Sequence, residues 1–276
     1  MSPSAGVRAL HVLHDSLRER GYEAYIFSST FYYSLRKTPP KYRYAEPLSE
    51  FSVENDIVVY PEVVRGNPLR FQNVVRYVLY FPGVLGGAKE YHHSEKIFTW
   101  DTMYFDAQKL VLPIIDTELF FDAALPKTQD CYFIHKGKKW KDIRETDGLL
   151  EINMRFPKNR SELARLLQTT RILYSYDKFS ALNTEALLCG AQVKIITENG
   201  FEDHICKPFD MENFARELEF FIRETQQMHY TGEIEQEYFC PRSLCNKLKE
   251  CTKKISLPYY QYAVRRKLGG SRAKTL

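Results

Sequence analysis

An α/β fold with mainly parallel sheets is predicted by three features of this chain. The first lies at residues 171–196, where an apolar strand (171–175, RILYS) precedes Leu182, Ala186 and Leu187 at helical spacing. Gly190 stops that helix, and a second strand follows at 192–196 (QVKII). The second feature is 56–60 (DIVVY), a near-continuous apolar run of the kind a parallel sheet buries on both faces. The third is a helical face of Val7, Leu10, Leu13 and Leu17, closed by Gly21 and followed by a strand at 23–27. A length of 276 residues accommodates two domains of ordinary size. The pattern breaks around Pro126, which predicts two Rossmann-like domains, residues 1–126 and 127–232, then a helical segment and basic tail at 233–276.

The remaining elements follow in order. Small residues at 2–6 read as a turn that normally follows a first strand. No such strand precedes it, so either the chain begins just after one or the N-terminal sheet lacks a member. Phe71, Val74, Val75 and Val78 predict a helix face ending before Pro82, and 96–99 and 109–112 predict short strands. A new strand starts at Cys131. Asn159 caps a helix carrying Leu163, Leu166 and Leu167, with Glu162 completing a capping box. Asp210 starts a helix whose Phe214, Leu218, Phe221 and Ile222 share one face, and 233–254 reads as a final helix or helix pair.

Composition narrows the function classes. With 44% apolar and 27% charged residues the chain is an ordinary globular one. No apolar run approaches the roughly 20 residues of a membrane span, and no signal-peptide pattern opens the chain, so a cytoplasmic protein is expected. The six cysteines form no C-x-x-C pair and read as reduced structural thiols. The seven histidines form no metal-ligand pattern. The formal charge of +4 is concentrated in Arg265, Arg266, Lys267, Arg272 and Lys274, leaving the body near neutrality and giving no reason to expect nucleic acid as a partner. That tail, with Tyr259, Tyr260 and Tyr262, reads either as a contact to anionic lipid at the inner membrane face or as a solvated terminus.

Asp177 and Glu185 flank the strand-to-helix junction, an arrangement suited to gripping a nucleotide where helix N–H groups favour phosphate. Asp177, Phe179, Ser180, Glu185, Ala186, Cys189, Gly190 and Val193 resemble the E-x-F-G-x4-E-A signature of GT-B glycosyltransferases, with the same spacing between the two acids. Residues 151–157 and 161–167 are similar to bacterial transferases of capsule and O-antigen synthesis. His135, Lys136, Gly137 and Lys138 resemble the Gly-Lys-Gly-Lys turn of that group, and Gly6 its N-terminal Gly-rich turn. Asp177 is one methylene shorter than the usual Glu, and Ser180 and His135 stand where glycines are usual.

The resemblance implies transfer of a hexose from a nucleotide-diphosphate sugar to a glycan or lipid-linked acceptor. Glu185 would accept hydrogen bonds from both ribose hydroxyls, and Asp177 would contact the donor sugar or simply cap its loop. Negative charge growing on the leaving diphosphate asks for fixed cations. Lys136 and Lys138 are the candidates, a solvated basic turn being the other reading. Gly6, Tyr176, Phe179, Ser180, Ala181 and Leu182 complete the expected nucleotide-sugar set. His93, beside His92 and Asp101, is the candidate general base on the acceptor side, where Tyr32, Tyr33, Tyr42 and Tyr44 offer rings for sugars or membrane. No D-x-D occurs, so metal independence and no cofactor are expected. Two alternatives stay open: a non-catalytic nucleotide- or glycan-binding protein of the same fold, and a nucleotide-sugar epimerase.

Overall fold

The structure, a computed structural model, describes residues 4–28, 51–137, 145–206, 208–232 and 260–265. Lys138, Tyr32, Tyr33, Tyr42, Tyr44, Cys240, Cys245, Cys251, the 233–254 segment and the tail from Arg266 lie outside the described residues. The protein is α/β, with two mostly parallel sheets that are compatible with a Rossmann-like two-domain fold. Two compact units form. One comprises residues 9–112 and 210–276, the other residues 1–8 and 113–209.

Helix α1 (Ala5–Glu19) lies in the first unit from Ala9 onward, where Leu10, Leu13 and Leu17 enter the core, and Gly21 ends it at φ 81°. Strands β1 (Glu23–Ser28), β2 (Ile57–Pro61), β3 (Asn73–Val78), β4 (Lys96–Thr99) and β5 (Gln108–Lys109) share a sheet in which β2 through β5 run parallel. The helix predicted from Phe71, Val74, Val75 and Val78 is instead β3. Every residue of that strand is buried, so its apolar run lacks a two-residue alternation and mimics helical spacing. The predicted strand at 109–112 shrinks to β5, with Leu110 and Leu112 packed into the core beyond it.

No strand precedes α1 among the described residues. Ser4 caps that helix through its hydroxyl, which accepts the Val7 N–H. A strand from the far end of the sequence, labelled here in chain order as β11 (Tyr260–Arg265), lies antiparallel between β1 and β2, which therefore point the same way.

In the second unit, β6 (Gln129–Phe133), β7 (Leu150–Ile152), β8 (Thr170–Ser175), β9 (Gln192–Thr197) and β10 (Gly200–Asp203) form a sheet of order β10-β9-β8-β6-β7, parallel except for β10. Helix α2 (Arg160–Thr169) begins at Asn159, whose side chain accepts the Glu162 N–H, while Glu162 reaches back to the Lys158 N–H. Helix α3 (Ala181–Leu188) ends before Gly190, at φ 81°. The core joins Phe120, Leu163, Leu167, Leu173, Leu182 and Val193.

The unit boundary differs from the predicted one in two places. Residues 113–126 belong with the second unit, because Phe120 is part of its core. Helix α4 (Met211–Gln226) belongs with the first, where the Phe221 ring meets Phe98 edge-on at 4.7 Å and Glu217 accepts the Val111 N–H. Its amphipathic face was legible in the sequence; its partner sheet was not.

Two histidines make stability depend on pH. Burial holds the pKa of His14 below its ordinary value, opposed by Asp15 and the Ala24 carbonyl and aided by Arg18. Burial and then Lys178 do the same for His204. Below the ordinary value of 6.5 the unfolded chain takes up protons that the folded one refuses, so stability falls as pH drops through 6.5 toward the lowered folded values. Urea unfolding at pH 7.5 and 5.5 should show a lower midpoint at pH 5.5, and His14→Gln should flatten that difference.

Candidate functional site

Strands β6 and β8 are neighbours, but the chain leaves them in opposite directions. From β6 it goes to β7 on one side, and from β8 to β9 on the other. In α/β proteins, ligands bind beyond the carboxyl ends of the two parallel strands at such a reversal. The turn at 135–137 and the loop at 176–180 follow those two strands, and they touch. A Cβ added to Gly137 would lie 1.9 Å from the Tyr176 carbonyl oxygen, so only glycine permits the approach. Gly137→Ala is therefore expected to cost about 1–3 kcal/mol as the loops part. A melting temperature equal to the parent's would show that the loops separate freely.

His135 occupies left-handed backbone, φ 41°, a region that residues other than glycine seldom enter. Two side-chain contacts hold it. Its ring stacks on Phe133 at 5.5 Å, and its Nδ1 lies 3.4 Å from Asp177 Oδ2. Lys136, next in the turn, is half-buried.

The predicted acidic pair is enclosed by protein. Asp177 is 3% exposed, and its Oδ1 accepts the Phe179 N–H, the loop-capping alternative of the sequence reading. Its carbonyl accepts from Asn183 Nδ2, which also donates to the Lys178 carbonyl. Glu185 is 1% exposed. Arg160 grips it with two bonds of 3.0 and 3.1 Å, and Arg8 adds a third contact at 2.8 Å. Three of its roughly four lone-pair sites are thus taken, so accepting from both ribose hydroxyls at once requires an arginine to yield.

Other predicted residues also turn inward. Tyr176 is buried with its hydroxyl on Thr146, and Leu182 sits in the core, so what either offers a ligand is backbone. Ser180 caps α3 by accepting the Leu182 N–H, which leaves fewer free donors at that terminus than expected; Phe179 and Ala181 are half-buried beside it. Gly6 is not in a turn but in the first helical turn of α1.

His93 belongs to the first unit, whereas Asp177 belongs to the second. His93 is exposed and its ring lies 4.1 Å from that of His92, while His92 Nδ1 meets the Ser94 hydroxyl. Asp101 caps its own turn through the Met103 N–H. A cavity of about 180 Å³ nearby is lined by Arg65, Arg76, Tyr91, His92 and Glu95, and the Tyr91 hydroxyl there is buried without a hydrogen-bond partner.

Sequence reasoning missed Arg8, Arg160 and Asn183. A signal for the arginines existed: both fall in first helical turns, where a cation opposes the helix dipole unless something negative compensates. Among the described residues no group of three or more His, Cys, Asp or Glu is placed to hold a metal ion, and no helix is long and apolar enough to cross a membrane. Cys131 and Cys189 are free and buried, and burial pushes the Cys189 thiol up to about 11.

No protein-family model, no curated protein and no solved structure matches the chain.

Proposed function

We propose that this chain is a glycosyltransferase of GT-B type that binds a nucleotide-diphosphate sugar beyond the carboxyl ends of β6 and β8. It passes the sugar to a glycan or lipid-linked acceptor of surface polysaccharide, without a metal, on the cytoplasmic side of a membrane that the basic tail can touch. The observation that carries this reading is the reversal of chain direction between β6 and β8, with the 135–137 turn and 176–180 loop pressed together at their carboxyl ends. Lys136 supplies positive charge beside those ends, where the leaving diphosphate needs it. His93 is the candidate base for the acceptor.

Calorimetry with UDP and GDP, followed by a donor-hydrolysis assay, tests the reading. Binding with hydrolysis supports it, and the absence of any nucleotide binding ends it. Lys136→Ala is expected to weaken UDP or GDP about tenfold, as loss of one charge-assisted bond does, while leaving the free nucleoside unaffected. Equal weakening of both would remove the phosphate role.

One observation favours a second reading. Asp177 and Glu185 are both engaged by protein groups, as suits a nucleotide-binding protein without transferase activity. Tight nucleotide binding with no hydrolysis and no transfer would select it.

A further inference from the structure

Arg8, Arg160 and Glu185 form a cluster whose charges do not cancel. Both guanidinium groups are permanently ionised, and one carboxylate faces them, so the cluster carries one excess positive charge. It is poorly hydrated: the side chains of Arg8, Arg160 and Glu185 are 14%, 19% and 2% exposed. Glu185 and Arg160 are the charges acting on Arg8, and burial together with Arg160 lowers the Arg8 pKa against the pull of Glu185. Arg8 Nε is buried and has no hydrogen-bond partner. Arg160 cannot swing away to relieve the repulsion without leaving the Phe120 ring, over which its guanidinium lies at 4.3 Å.

An unpaired donor and an uncompensated charge in a dry place are costly. A bound oxyanion supplies the missing negative charge and accepts from the partly exposed guanidinium groups of Arg8 and Arg160. Position agrees with this chemistry. Glu185 lies four residues into α3 from Ala181, roughly 6 Å along the axis at the α-helical rise, so the cluster stands one turn from the 176–180 loop.

We propose that Arg8 and Arg160 form an oxyanion site for a phosphoryl group of the nucleotide diphosphate, with Glu185 as the internal counter-ion that positions both arginines. The proposal rests on the reading that the second unit takes a nucleotide diphosphate, and it changes the part played by Glu185 within that reading. The carboxylate does not hold ribose; it orders two cations and tempers their charge.

Calorimetry on the full chain with sodium pyrophosphate, UDP and uridine tests this. The parent protein is expected to bind pyrophosphate and UDP, and Arg8→Gln to weaken both about tenfold, as loss of a charge-assisted contact does. Glu185→Gln keeps the side-chain shape and removes the competing charge, so pyrophosphate should bind several-fold more tightly and uridine should be unaffected. Circular dichroism verifies folding. Should Arg8→Gln not fold, Arg8→Lys keeps the charge, removes Nε and is expected to weaken pyrophosphate about threefold, half the logarithmic loss. Pyrophosphate affinity unchanged in both the Arg8 and Glu185 variants, with UDP still bound, overturns the cluster's role and leaves the nucleotide reading standing. Loss of uridine binding in Glu185→Gln overturns it in favour of a ribose contact. Failure of the parent to bind UDP or pyrophosphate overturns both.

Discussion

Arg76→Met is expected to lower the unfolding free energy by about 3–5 kcal/mol, the cost of leaving a buried charge without its partner. Arg76 and Glu95 are each 1% exposed at the side chain and bonded at 2.7 and 2.9 Å. The same guanidinium donates to the carbonyls of Pro61, Val64 and Gly66. The first closes β2 and the other two lie in the β2–β3 connection, which contains no helix to bond its backbone internally, so Arg76 does the work of a crossover helix. Methionine fills the volume but satisfies neither Glu95 nor the carbonyls. Guanidinium chloride unfolding followed by fluorescence would measure the loss, and Arg76→Met with Glu95→Leu should lose less than the single changes summed. A loss below about 1 kcal/mol, typical of a surface ion pair, would show that water reaches the pair.

Glu185→Ala is expected to cost about 3 kcal/mol, because two enclosed guanidinium groups lose their shared counter-charge and repel each other. A carboxylate that only held ribose would instead lower nucleotide affinity more than stability. Urea unfolding separates the two. A free energy within about 0.5 kcal/mol of the parent, the range of ordinary surface changes, would mean that Glu185 does not organise α2 and α3. Adding Arg8→Met to Glu185→Ala should recover part of the loss, since it removes one of the two repelling charges.

Legibility in the sequence followed the range of the interaction. The caps at Asn159 and Asp210, the glycine stops at Gly21 and Gly190 and the strand at 96–99 are local effects, and each lies where residue pattern indicates. Strand β3 was misread as helix because burial on both faces erases the alternation that marks a strand. Strands β7 and β10 were not anticipated; β7 has three residues, and three of the four in β10 are exposed. At the site, spacing placed Asp177 and Glu185 on either side of a strand-to-helix junction, but their hydrogen-bond partners were out of reach. The arginines that engage Glu185 stand at positions 8 and 160, and no local pattern links residues so far apart. His135 beside Asp177 is a similar case, a contact across 42 positions made by neighbouring parallel strands.

Strand β11 has a consequence for the order of events during synthesis. All five strands of the second sheet lie between residues 129 and 203, so that unit has its whole sheet once that stretch has emerged from the ribosome. The first sheet joins residues 23–28 to residues 260–265 and must hold two early strands apart until residues 260–265 arrive. Pairing over such a sequence distance is slow, because the entropy of closing a long loop is lost before any contact compensates it. The later-born unit is thus the first to mature, and the earlier-born one waits with open strand edges, the state in which a nascent chain most needs a chaperone.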